Sequence, residues 1–180
     1  MPLYWVLRYT SESGQADTES EEYDTHMQRM VDISDKGETV RIAVASGRIR
    51  LKEDTVAKLK NKEIKKGDAL ACAEVAAILA VKNTPDVIPM CHPVSIDAVE
   101  VEPSIEEGGV RVAVTVKSVG KTGVEMDALY GLSVALLTIW DMVKSEEKDE
   151  TGNYPHTCIE EIMVEKKEKQ LLMTETDIHP

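Results

Sequence analysis

Asp141 and Lys144 stand three residues apart in the run L-T-I-W-D-M-V-K over 137–144. On a helix such residues are neighbours. If exposed, they form a surface ion pair worth at most about 1 kcal/mol. The residues around them are almost wholly apolar, which predicts an aspartate beside buried ground. A carboxylate next to a partly desolvated lysine is one way to set a catalytic pKa. Lys66, in K-K-G-D just before an Ala-rich run, offers an ammonium for a phosphate or for proton transfer. Arg41 and Lys82 are further cation candidates.

G-K-T-G over 120–123 resembles half a phosphate loop. A Walker motif needs a glycine five residues before the Gly-Lys pair. Thr115 occupies that position, so this is not one. The turn either offers free N–H groups to an anion, with Lys121 adding charge, or simply eases entry into a helix. Glu125 follows Thr122 by three, the spacing of a capping box, and could alternatively serve as an acid or base. His92 lies in P-M-C-H-P, where prolines on both sides fix its place. Its neighbour Cys91 makes no metal site with it, and His156-x-Cys158 supplies only two ligands, so no zinc centre is expected.

These residues need elements to hold them. Val40, Ile42 and Val44 alternate with other residues, and Ile49 and Leu51 follow Gly47, predicting a strand with a bend. E-D-T-V-A-K-L-K over 53–60 predicts a short helix. Asp68 predicts the N-cap of A-L-A-C-A-E-V-A-A-I-L-A-V-K, a helix apolar nearly all round and so expected to be buried on more than one side. Thr84-Pro85 ends it. A strand over 94–101, a Gly turn and the strict alternation of Val110, Val112, Val114 and Val116 predict a hairpin. A long helix over 124–147 and a last strand from Ile159 complete β-α-β-β-α-β, an α+β, ferredoxin-like split pattern with a four-stranded, mainly antiparallel sheet and helices on one face. The valine-rich strands make a bare second sheet face unexpected, which predicts oligomerisation.

The chain has 180 residues, 42% hydrophobic and 30% charged, enough for one domain with a sizeable core. Without Phe, that core rests on aliphatic side chains and Met. The net charge of −12 argues against general nucleic-acid or anionic-membrane binding. Six acids and no Lys or Arg fall within 9–28, so 1–29 reads as a disordered acidic arm. Residues 30–170 read as one catalytic domain and 171–180 as a frayed end. Three cysteines suggest a reducing compartment. The opening M-P-L-Y-W-V-L-R lacks a basic n-region, so no secretory signal is expected. No apolar run approaches the roughly 18 residues of a membrane span. A cytoplasmic location follows.

M-V-D-I-S, E-T-V-R, K-G-D, A-V-K-N-T, I-P-M-C-H-P, G-K-T-G-V-E-M-D-A-L and L-T-I-W-D-M-V-K, in this order and spacing, resemble the MoaC family, the cyclic pyranopterin monophosphate synthases of molybdenum cofactor biosynthesis. The resemblance covers about 30–149. The tail departs from the Gly-rich S-G-G-K-S-G of the common bacterial form, and Lys166 stands where its lysine would be sought. The resemblance implies a ferredoxin-like fold in a homohexamer, a trimer of dimers with the site at a dimer interface. It implies a lyase that converts 3′,8-cyclo-7,8-dihydro-GTP, supplied by a radical SAM GTP cyclase, to cyclic pyranopterin monophosphate and pyrophosphate. It names no certain cofactor and leaves room for a divalent metal on the triphosphate. By match to the family, Lys66 and Lys144 form the acid/base pair, tuned by Asp141 and assisted by His92 and Glu125. Arg41, Lys82, Met90, Cys91, His92, Lys121, Thr122, Gly123, Glu125 and Met126 bind substrate. Whether Lys66 and Lys144 meet within one chain depends on helix direction, which the sequence leaves open; the family's interface site favours one from each of two chains.

Two non-enzymatic readings compete. An RNA-recognition domain shares the topology but stacks bases on strand aromatics, and none lies within 40–51 or 110–117. A nucleotide-sensing module would keep the G-K-T-G turn but has no use for Lys144 beside Asp141.

Overall fold

The computed structural model describes residues 28–172. The expected acidic arm and frayed end lie outside these residues, apart from Gln28, Arg29, Leu171 and Leu172. β1 (Thr39–Arg50) is followed by α1 (Glu53–Lys60), α2 (Ala69–Lys82) and α3 (Thr84–Val87). Then come β2 (Ile96–Glu106), β3 (Gly109–Gly120), α4 (Glu125–Glu147) and β4 (Cys158–Gln170). The strands form one antiparallel sheet in the order β2-β3-β1-β4, the ferredoxin-like arrangement. β2 starts later and runs further than its hydrophobic pattern predicts. It passes through Pro103, which an edge strand tolerates because one side of its backbone is unpaired.

The core lies between the sheet and α2 and α4. Val110, Val112, Val114 and Val116 are fully buried and meet Ala43, Ala45 and Ile49 of β1 beneath the α4 stripe Ala128, Leu132, Ala135, Leu136, Ile139 and Val143. Every valine of the alternating run therefore faces the helices. The outer sheet face carries charge instead. Arg111 reaches Glu161 at 2.7 Å and Glu106 at 3.2 Å, and Arg48 reaches Glu160 at 3.9 Å. The valines thus give no reason for a second cover, and the expectation of oligomers must rest on other surfaces.

Among the described residues, α2 buries only one side. Ala69, Ala73, Ala77, Ala80 and Val81 are buried, while Val75 and Leu79 are more than half exposed. Its alanines let it lie close to α4. A Cβ on Gly131 of α4 would meet the Val81 side chain at 2.6 Å. α4 is also long and apolar enough to cross a membrane by length and composition, contrary to the expectation that no segment is. Its apolar stripe is taken up by the core described above.

Local signals act as predicted at some ends and not at others. Asp68 caps α2 by accepting from the Ala71 N–H at 3.1 Å. α4 has no capping box: its N-cap is Val124, with no side-chain cap. At its other end Glu147 is fully buried. It accepts from the Lys52 N–H and the Thr157 hydroxyl, tying α1 and the approach to β4 to the end of α4. The bend expected at Gly47 is a break in the β1–β4 register between Ser46 and Arg48, where Glu161 takes φ 58°.

Candidate active site

Near the C-terminal end of α4, Asp141 is held by two lysines of its own chain. Lys66 Nζ donates to the Asp141 carbonyl and to Oδ2, each at 2.7 Å. Lys144 Nζ lies 2.7 Å from Oδ1. Helix direction brings them together. Gly131, early in α4, faces Val81 near the end of α2, whereas Asp141, late in α4, faces Lys66 just ahead of α2. The helices are antiparallel, so the start of one adjoins the end of the other. Lys66 and Lys144 therefore belong to one chain's cluster, which corrects the expectation that they come from different chains.

This cluster is also open. The side chains of Lys66, Asp141 and Lys144 are 40%, 58% and 46% exposed, because Asp141 lies on the outward side of α4 although its neighbours are apolar. Among the described residues, the buried ground expected around Asp141 is absent. Hydrogen bonds from Lys144 and Lys66 lower the Asp141 carboxyl to about 2. The Asp141 bond in turn raises Lys144, so this lysine is an ammonium at neutral pH and enters any reaction as an acid.

The second cluster sits at the other end of α4. Met90, Cys91, His92, Thr122, Gly123, Glu125, Met126 and Asp127 line a cleft of about 350 Å³. The Pro-flanked loop and the G-K-T-G turn thus meet, as their candidate roles require. Burial alone would raise the Glu125 carboxyl. A hydrogen bond from Lys167, its own N–H and the charges of Lys167 and Arg41 outweigh this and hold it below the usual carboxylate range. Arg41 keeps a buried Nε with no hydrogen-bond partner among the described residues. Burial, and then the charge of Asp127, raise the Cys91 thiol, so it is not a thiolate nucleophile. Burial likewise raises Asp127, against a hydrogen bond from Thr84. Lys82 lies exposed at the C-terminal end of α2. His156 lines a separate cleft with Arg48 and Arg50. Among the described residues no group of three or more His, Cys, Asp and Glu is placed to hold a metal ion.

Two site residues escaped the sequence. Lys167, rather than Lys166, pairs with Glu125, whereas Lys166 turns to Glu168. Alternation along β4 could not tell them apart, because the register slips twice, between Val44 and Ala45 and between Ser46 and Arg48. Asp127 could have been noticed as a second carboxylate two residues after Glu125, but only its burial makes it unusual.

The two clusters do not meet within one chain. Glu125 and Asp141 are sixteen residues apart on α4, about 24 Å at 1.5 Å per residue.

A sequence model of the MoaC family matches residues 30–170. A probable cyclic pyranopterin monophosphate synthase of Archaeoglobus fulgidus is 60% identical over 141 residues, covering 78% of this chain and 90% of that protein. One of Methanococcoides burtonii is 59% identical over 143 residues, 79% of this chain and 90% of that protein. A protein of Methanothermobacter thermautotrophicus, named a probable cyclic pyranopterin monophosphate synthase accessory protein, is 53% identical over 141 residues, 78% of this chain and 89% of that protein. The matched residues span every strand and helix of the sheet and both clusters, and the chain belongs to the MoaC family.

Proposed function

We propose that this chain is a cyclic pyranopterin monophosphate synthase, a lyase of molybdenum cofactor biosynthesis. It converts 3′,8-cyclo-7,8-dihydro-GTP to cyclic pyranopterin monophosphate and pyrophosphate. The observation that carries the reading is the pair of clusters: lysines joined through Asp141, and a cleft where the Pro-flanked His92 loop meets the G-K-T-G turn. A triphosphate needs cations and N–H donors, which Arg41, Lys82, His92, Lys121 and the turn at Thr122 and Gly123 supply. Opening and re-closing the purine-derived rings needs a proton donor and an acceptor. Lys66 and Lys144 fill these roles, with Asp141 keeping Lys144 protonated until substrate displaces one of its bonds. Glu125 and His92 position substrate and assist proton transfer.

The site is completed between two copies of the chain. The roughly 24 Å between Glu125 and Asp141 along α4 supports this, since one small substrate cannot touch both clusters of one chain. The apolar Val75, Leu79 and Leu137, each at least 54% exposed, offer helix surface for such a contact. The assembly we propose is a cytoplasmic homohexamer, a trimer of dimers, fed by a radical SAM GTP cyclase. Incubating the purified protein with the cyclised GTP intermediate tests the reading. Stoichiometric pyrophosphate and pterin product are expected; substrate binding without pyrophosphate release would contradict it.

A further inference from the structure

The stretch before β1 crosses both chemistry-bearing loops of the cleft. The His92 Nε2 lies 2.8 Å from the Val31 carbonyl oxygen. The Lys121 Nζ donates to the Ser34 carbonyl at 2.9 Å. Ile33, Pro93, Lys121 and Thr122 line one small cleft beside them, so the stretch lies against both loops. Its shape is set internally. Asp32 Oδ1 accepts from the Ser34 N–H at 2.8 Å and from its hydroxyl at 2.6 Å, and the Lys36 N–H closes a turn on the Ile33 carbonyl at 3.1 Å. The charges of Lys121 and His92 also act on the Asp32 carboxylate, which places all three within electrostatic reach.

We propose that residues 30–35 are a positioning strap, whose Val31 carbonyl commits the Nε2 proton of His92 so that this imidazole serves the substrate through Nδ1, and whose Ser34 carbonyl aims Lys121. A carbonyl oxygen only accepts, so Nε2 carries the proton in this bond whatever the charge of the ring. Nδ1 is then the nitrogen left to accept or donate. The ammonium of Lys121 has three donors, so one can stay on Ser34 while the others take a phosphate. Asp32 acts through the strap and is a positioning residue. The roles of His92 and Lys121 rest on the proposed function; the state of the imidazole does not.

The test reads the imidazole directly. Long-range 1H–15N spectra of the full chain, with the His92 signals identified by their loss in His92→Asn, are expected to show protonated Nε2 and free Nδ1 at high pH. Asp32→Ala removes the strap's internal anchor. It is expected to mix the two tautomers and to lower kcat/KM about tenfold, the loss of roughly one hydrogen bond. Should Asp32→Ala fold poorly, deletion of 1–35 is compared with deletion of 1–27. The longer deletion is expected to release the tautomer and the shorter one to leave it. A His92 protonated on Nδ1 in the intact chain, or an Nε2 signature unchanged when the strap is removed, overturns the proposal. If the tautomer responds but no variant and no parent turns over, the proposed function fails and the strap stands.

Discussion

Gly123→Ala is a test of how the cleft is built. A Cβ at this position would overlap the Glu125 carboxylate, with the carboxyl carbon 2.7 Å and Oε1 2.9 Å away. The obstacle is the end of a flexible side chain, so the fold survives and the carboxylate swings away from Lys167. A hydrogen bond to a charged group contributes about 1.5–3 kcal/mol. Lys167 is 58% exposed and Glu125 24%, so solvent screening favours the lower end. About 1.5 kcal/mol is roughly a tenfold fall in kcat/KM, if Glu125 acts in the transition state. Pyrophosphate release by Gly123→Ala, Glu125→Gln and the double variant forms a cycle. The double variant is expected to be no worse than Glu125→Gln alone, with unfolding midpoints close to the parent's. Fully additive losses would show that Gly123 acts by some route other than the carboxylate and would refute this reasoning.

Two further outcomes follow from the lysine cluster. Lys144→Ala should abolish pyrophosphate release while leaving the thermal midpoint nearly unchanged, because the side chain is exposed; Lys144→Arg should also be badly impaired, since it keeps charge but does not readily release a proton. The Asp141 carboxyl is lowered from 3.8 to about 2, so its contribution to stability is present above pH 3.8 and is lost as pH falls through 2. Urea midpoints of Asp141→Asn should therefore fall less steeply across that window than those of the parent, and equal slopes would contradict the pairing.

Periodicity and punctuation made the fold legible. The alternating valines, the Asp68 cap, the Pro85 break and the α4 stripe each placed an element close to where it lies. What periodicity could not supply was the side of an element that lies uncovered. α2 is apolar nearly all round, yet among the described residues its second side is left exposed, and Asp141 sits among apolar neighbours yet points outward. The cleft was legible because Pro and Gly mark rigid turns, so P-M-C-H-P and G-K-T-G stood out. Lys167 was hidden by two register slips that no local pattern reveals. Nor does sequence order show that antiparallel helices bring Lys66 to Asp141 across seventy-five residues.

Subunit exchange between inactive variants tests the shared site most directly. One mixture pairs Lys144→Ala with Glu125→Gln, one variant from each cluster; the other pairs Lys66→Ala with Lys144→Ala, both from the same cluster. Exchange is confirmed by mass spectrometry. In a two-fold dimer whose sites each draw on both chains, half of the dimers are mixed and each keeps one intact site. The first mixture should then recover about a quarter of parental pyrophosphate release. The second should recover none, because every site lacks one of the two lysines. Recovery in the second mixture, or none in the first despite complete exchange, would contradict a site built from the two ends of α4 on neighbouring chains.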